Sequence, residues 1–170
     1  MGMSVTISAA DERDAEQILK LQFLCYQSEA ELYGDYGIEP LTQTLAQLTQ
    51  ELAGGIVLVA KLGDEVVASV RGTVDADGTG RIAKLIVHPR MRRHGLGGRL
   101  LIAIEQRLFA DGAAGAAQRF ELFTGHRSER NLRLYQKHGY QRVGTDRVGD
   151  TLTTVTLSKP AGAHAYVTSA

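Results

Sequence analysis

The chain has a single cysteine, Cys25. A lone thiol excludes an internal disulfide and a cysteine-based zinc site, and it suits a reducing compartment. An excess of charge of either sign is also missing: 19 Lys and Arg balance 19 Asp and Glu, for a formal net charge of zero. A dedicated nucleic-acid binder usually shows a global basic excess, so any positive site here is local and nucleic acid is not an expected partner. No apolar run approaches the ~18 residues of a membrane span, and the opening residues lack a basic segment followed by an apolar stretch. These absences predict a cytoplasmic chain with no membrane partner. What is present, 170 residues at 44% hydrophobic, is enough for one sizeable core and short for two. A single domain over residues 1–160 with a flexible tail at 161–170 is the expected organisation.

Residues 3–10 alternate Val5 and Ile7 with small polar residues, as a strand does. Asp11 reads as a helix N-cap, and Ile18, Leu21 and Cys25 fall at helical spacing on the core side. Gly34, Gly37 and Pro40 break that helix. Leu41, Leu45, Leu48 and Leu52 then predict a second helix running to Gly54-Gly55. Residues 56–74 form two β-rich runs around Gly63-Asp64, a strong hairpin signal, and 81–87 is a third strand of the same meander. A stripe of Leu96, Leu100, Ile104 and Leu108 predicts a helix from Leu96 to Ala110, followed by a loop at 111–117 and a strand at 119–124. Ser128 is placed as the cap of a short helix through Lys137 that Gly139 ends, and residues 140–157 read as a last hairpin about Gly149-Asp150. The order is β-α-α-β-β-β-α-β-α-β-β, an α/β (α+β mixed) chain of about seven strands and four helices.

The joint between the third strand and the long helix, "VHPRMRRHGLGGRLLIAIEQRL" (87–108), is crowded with arginine and glycine. A strand, a glycine-rich turn and a helix start put several partnerless backbone N–H groups at the positive end of a helix dipole, which is a ready anion site. Gly95, Gly97 and Gly98 remove side chains that would block close approach, and Arg92 and Arg93, with Arg90 or Arg99 as further candidates, can pair with phosphate oxygens. The dinucleotide fingerprint fails because Leu100 stands at its third glycine, and no Gly-Lys-Ser/Thr ending supports a nucleoside-triphosphate loop. Arg92-x-x-Gly95-x-Gly97 after "LIVHP" instead resembles the acyl-CoA pyrophosphate loop of the GNAT superfamily of N-acetyltransferases. A second segment, "LFTGHRSERNLRLYQKHGYQRVG", resembles the stretch of that superfamily in which a strand leads to a helix bearing Asn and Tyr and a closing Gly-Phe/Tyr. Asn131 and Tyr135, four apart, share one face of the helix.

This resemblance implies a GNAT-like fold: a central, mostly antiparallel twisted sheet with one parallel, splayed pair, strands 81–87 and 119–124, holding acetyl-CoA between them. It implies that Leu85, Ile86 and Val87 line the pantetheine arm, with backbone groups of Leu85 and Val87 pairing like an added strand and an N–H near Val87 polarising the thioester carbonyl. Arg92, Arg93, His94, Gly95, Leu96, Gly97 and Gly98 would hold the pyrophosphate, and Asn131 the pantetheine amide. Tyr135, whose ordinary pKa of ~10 keeps it protonated, would give a proton to the departing thiolate. No metal is implied.

The acceptor amine must lose a proton to attack. Glu121 is the first candidate for that base; His88, ahead of Pro89, reads as turn packing, and His126 is a third candidate. The residues specify none of them. Cys25 lies on a core-facing position, so direct attack in a ternary complex is expected over an acetyl-cysteine route. Glu29, Glu31, Tyr33, Asp35, Tyr36 and Glu39 make an acidic, aromatic stretch: as a solvated loop it carries no chemistry, and as an acceptor wall it would favour a cationic amine. The expected activity is acetyl transfer from acetyl-CoA to a primary amine of a small molecule or a protein. The competing reading is a non-catalytic acyl-CoA-binding or sensor module, which retention of both Asn131 and Tyr135 disfavours. The resemblance also implies a homodimer, with the 140–157 hairpin offering strand edges.

Overall fold

In the computed structural model, the described residues are 4–111 and 116–162. Most of the expected 111–117 loop and the tail from residue 163 therefore lie outside them, as does Met3 of the first predicted strand. Strand β1 (Val5–Ala9) leads to Asp11, whose carboxylate accepts from the Arg13 N–H at 2.8 Å while Asp14 accepts from the Asp11 N–H at 3.0 Å. This capping box starts a 3-10 turn (Glu12–Asp14) that runs into α1 (Ala15–Tyr33). Ile18, Leu21 and Cys25 are buried on it as their spacing predicts, and Gly34 ends it at φ 65°.

The second predicted helix is two helices, α2 (Glu39–Thr42) and α3 (Leu45–Gly54). Gln43 and Thr44 are extended, and Thr44 makes a capping box of its own: its hydroxyl accepts from Gln47 N–H at 3.2 Å and Gln47 Oε1 accepts from Thr44 N–H at 2.9 Å. Two satisfied helix-start donors outweigh the continuity of the leucine stripe. Of the four leucines only Leu48 is fully buried, and Leu45 is 39% exposed.

The remaining elements are β2 (Ile56–Leu62), β3 (Glu65–Val74), β4 (Thr79–Val87), α4 (Leu96–Asp111), β5 (Arg119–Gly125), α5 (Glu129–Lys137), β6 (Gln141–Val148) and β7 (Leu152–Pro160). Ser128 occupies the N-cap position of α5 but makes no side-chain capping bond, because its ψ of 70° is not the extended geometry that aims a hydroxyl at the first turn. The sheet order is β1-β2-β3-β4-β5-β7-β6, with β4 and β5 as the parallel pair. It is a seven-stranded mixed sheet flanked by five helices, one more than the sequence order suggests because of the break at Thr44.

The chain forms two compact units. One comprises the residues up to Arg71 with Lys84–Leu101, the other Gly72–Ala83 with the residues from Ile102 onward. In the first, Ile18, Leu21, Cys25, Leu48, Val59 and Ile86 share one apolar cluster. In the second, Glu105 is 1% exposed and is compensated on both oxygens: Tyr140 donates its hydroxyl at 2.7 Å, and the Lys159 ammonium lies at 2.8 Å. Lys159 also donates to the His138 carbonyl at 2.9 Å and lies 5.2 Å from the centre of the Tyr140 ring. Each of these polar groups is buried with a partner, as burial of charge requires.

Within the second unit, Gly72 allows β3 to run close to α4. A Cβ there would lie 2.9 Å from Leu108 Cδ1 and 3.0 Å from Ile104 Cγ1, both on fully buried side chains. Gly72→Ala is therefore expected to cost about 1–3 kcal/mol of folding free energy through overpacking. Urea denaturation checks it, and unchanged stability would mean that Leu108 and Ile104 repack freely.

Candidate functional site

In the first unit, β4 ends at Val87 and the chain turns over His88, whose Nδ1 accepts from the Arg90 N–H at 3.2 Å. His88 thus caps the 3-10 turn Pro89–Met91, which is the turn role its place before proline suggests. Arg93 at φ 68° and Gly95 at φ 72° are both left-handed, and they fold the loop back toward the start of α4. The Gly95 carbonyl accepts the first helical bond, from Arg99 N–H at 3.1 Å. The amides of Leu96, Gly97 and Gly98 consequently have no intrahelical acceptor. Leu96 and Leu100 are buried, Gly97 and Gly98 are half-buried, and Arg93, His94 and Gly95 are exposed.

Charge follows the same division. Arg90 pairs with Glu65 at 2.5 Å and is removed from the loop. Arg92, Arg93 and Arg99 have no carboxylate within ion-pair distance among the described residues. Guanidinium groups without a carboxylate partner among the described residues and helix-start amides thus follow one another along this loop, a combination that favours negative charge. The loop residues singled out in the sequence are together here.

The parallel ladder between β4 and β5 is short. It joins only Thr79–Arg81 to Arg119–Glu121, so Leu85, Ile86 and Val87 are outside it. Ile86 sends its side chain into the core, 6% exposed, while Leu85 and Val87 are half-buried. The Val87 carbonyl accepts from Cys25 Sγ at 3.4 Å. Burial pushes the Cys25 thiol up to about 11, with the positive charge of Arg92 opposing the rise. A thiol this reluctant to ionise is a poor nucleophile.

In the second unit, α5 buries Leu132 and Tyr135. The Tyr135 ring lies 6.0 Å from that of Tyr140, tilted by 60°, so the network around Glu105 stands directly behind it. Asn131 donates from Nδ2 to Thr124 Oγ1 of β5 at 3.1 Å. Glu121 is held by Arg81 at 2.7 Å, with Arg119 at 3.9 Å. His126 is exposed, with Nδ1 at 3.0 Å from the Thr153 carbonyl. That oxygen can only accept, so Nδ1 is the donor in this contact. Sequence reasoning missed Glu105, Tyr140 and Lys159, which come together from positions 35 and 54 residues apart.

The acidic stretch also resolves into separate roles. Tyr33 is in the core, Asp35 accepts from Gly37 N–H at 2.8 Å within a turn, and Glu39 is ion-paired to Lys84. Tyr36 is 60% exposed. Among the described residues there is no cluster of three or more His, Cys, Asp or Glu able to hold a metal ion, and no helix long and apolar enough to cross a membrane.

Comparison with known proteins bears on the fold and the family. The PaiA N-acetyltransferase of Thermoplasma acidophilum, solved with coenzyme A, superposes with a TM-score of 0.77 at 16% identity over 93% of this chain and 99% of that one. YncA of Salmonella typhimurium, solved with acetyl-CoA, gives 0.69 at 20% identity over 94% and 95%. The ribosomal-protein-S18-alanine N-acetyltransferase of Escherichia coli gives 0.71 at 14% identity over 94% and 95%. At these identities the likeness concerns the fold. No curated protein matches in sequence. The acetyltransferase (GNAT) family model matches residues 15–140, a span that includes the loop, the long helix and both Asn131 and Tyr135, and the chain belongs to that family.

Proposed function

We propose that this chain is an acetyl-CoA-dependent N-acetyltransferase that acetylates a primary amine by direct attack in a ternary complex. The observation that carries the reading is the β4–α4 joint, where amides at Leu96, Gly97 and Gly98 without an intrahelical acceptor accompany three arginines with no carboxylate partner among the described residues. A pyrophosphate matches that arrangement in charge and in number of acceptors. Arg92, Arg93, His94 and Gly95 complete the cradle, and the backbone of Leu85, Ile86 and Val87, beyond the end of the parallel ladder, binds the pantetheine arm. Acetyl-CoA supplies the acyl group as a thioester. An N–H near Val87 polarises its carbonyl, Asn131 orients the pantetheine amide, and Tyr135 protonates the leaving thiolate. Glu121 takes the proton from the acceptor ammonium, directly or through water, while Arg81 keeps its carboxylate oriented. The inert Cys25 thiol supports direct attack over a covalent acetyl-enzyme. Residues 1–160 act as one catalytic domain in the cytoplasm, and the acceptor is a small-molecule or protein amine.

Arg92→Ala is expected to weaken acetyl-CoA binding about tenfold, the worth of one charge-assisted hydrogen bond, and to flatten its salt dependence. Calorimetric titration at two salt concentrations checks this; parental affinity and slope would remove the loop from the site.

Tyr135→Phe keeps the ring against Tyr140 and removes only the hydroxyl. Turnover in a thiol-release assay with a panel of amines should fall about 10²-fold, or about 3 kcal/mol of barrier, with acetyl-CoA affinity nearly unchanged. A parental rate would mean that water protonates the thiolate.

Every residue of β6, the last strand in the sheet order, is exposed, including Val143 at 61%. An exposed edge of this kind supports a homodimer built on the last hairpin. Analytical ultracentrifugation at micromolar concentration should show a species of twice the monomer mass, and a monomer alone would refute it.

A further inference from the structure

Beneath α2 in the first unit lies a polar cluster that the proposed chemistry does not use. Arg71 of β3 and Lys84 of β4 have side chains only 7% and 13% exposed. Their carboxylate partners are Glu51 and Glu39, 40% and 60% exposed. Arg71 Nη1 lies 3.1 Å from Glu51, and Lys84 Nζ lies 2.6 Å from Glu39 and 3.6 Å from Glu51. Gln43 Oε1 accepts from both cations, at 3.4 and 3.2 Å, and Gln22 Oε1 accepts from Arg71 Nη2 at 2.7 Å. The cations therefore form a fixed inner layer, and the anions reach in from the rim.

Two observations mark this layer as incompletely satisfied. Arg71 Nε is buried with no hydrogen-bond partner among the described residues, and an unpaired donor on a buried cation is expensive. Lys84 has φ 51° inside a strand, a conformation a non-glycine residue adopts at a cost and one that clusters at functional sites. Desolvation also holds the Arg71 guanidinium below its usual range, which means that its present partners do not fully offset burial. The segment over the cluster is lightly held: α2 has no buried residue and is tied down by Glu39 on Lys84 and by Gln22 donating to the Pro40 carbonyl at 2.8 Å.

We propose that Lys84, with Arg71 holding the layer around it, is the carboxylate-recognising floor of the acceptor site, that the amine acetylated carries a carboxylate, as an α-amino acid does, and that Glu39 fills the carboxylate's place when no acceptor is bound. This rests on the acetyltransferase reading, which puts the thioester at Leu85–Val87, the residues that follow Lys84 in β4. An incoming carboxylate exchanges for the exposed Glu39 on the ammonium and leaves the inner layer unchanged. Charge is conserved in the exchange, since one carboxylate replaces another and Glu39 passes to solvent. A cationic amine without a carboxylate gains nothing from Lys84 and meets it as a like charge.

The test is calorimetric titration of the CoA-saturated protein with matched pairs: alanine and ethylamine, leucine and 3-methylbutylamine, phenylalanine and 2-phenylethylamine. At least one amino acid should bind about tenfold or more tightly than its amine. Glu39→Gln should strengthen amino-acid binding, because the internal competitor loses its charge, and Lys84→Met should abolish the preference while Lys84→Arg keeps it. A clamp with a purely structural role would not tighten binding when Glu39 is neutralised. Equal or reversed affinities within every pair, no binding by any amino acid, or weaker or unchanged binding in Glu39→Gln would each overturn the proposal. Acetyl-CoA is titrated separately into the parent protein, and its failure to bind there would sink the acetyltransferase reading instead.

Discussion

Lys84 holds a left-handed backbone inside β4, where a residue with a Cβ gives up about 1–2 kcal/mol, and its ammonium is withdrawn from most of its water. Both costs are met by the same neighbours: Glu39, Glu51 and Gln43 converge on Nζ and tie α2 and α3 to the strand. Beside that convergence, α2, which buries none of its residues, is held by Gln22 donating to the Pro40 carbonyl. The three strand residues that follow, Leu85–Val87, then run from this anchor to the arginine loop.

Much of this was legible because local rules act alone over short stretches. Gly63-Asp64 and Gly149-Asp150 did fix two hairpins, and the Leu96–Leu108 stripe did mark α4. The anion loop could be read because helix-start amides, glycine and arginine lie within seven consecutive residues. The break before α3 was legible too, in Thr44 and Gln47 three residues apart, but the leucine stripe spoke for a longer helix and hid it. A stripe reports which face is apolar and says little about whether the helix is continuous.

The polar interior was not legible, and the reason is separation along the chain. Arg71 finds Gln22 from 49 residues away, and Lys159 finds Glu105 from 54. No periodicity predicts such meetings, because each depends on how whole elements are stacked. One hint did exist: seven consecutive residues of β3, Val66–Gly72, are buried, so a charged residue among them had to have partners. The second unit shows what such partners can accomplish. Glu105 accepts from the Tyr140 hydroxyl and pairs with Lys159, and the Tyr140 ring lies tilted against that of Tyr135, so an ion pair and an aromatic pair meet at one residue.

The Cys25 thiol, raised to about 11 and turned toward the Val87 carbonyl, bears on how the protein meets oxidants. At neutral pH only about one molecule in ten thousand carries the thiolate, the form that peroxide and disulfides attack. With no other cysteine in the chain, it has no second sulfur to close a bridge. An internal disulfide is therefore closed to it, and the buried thiol offers an oxidant little of the reactive anion.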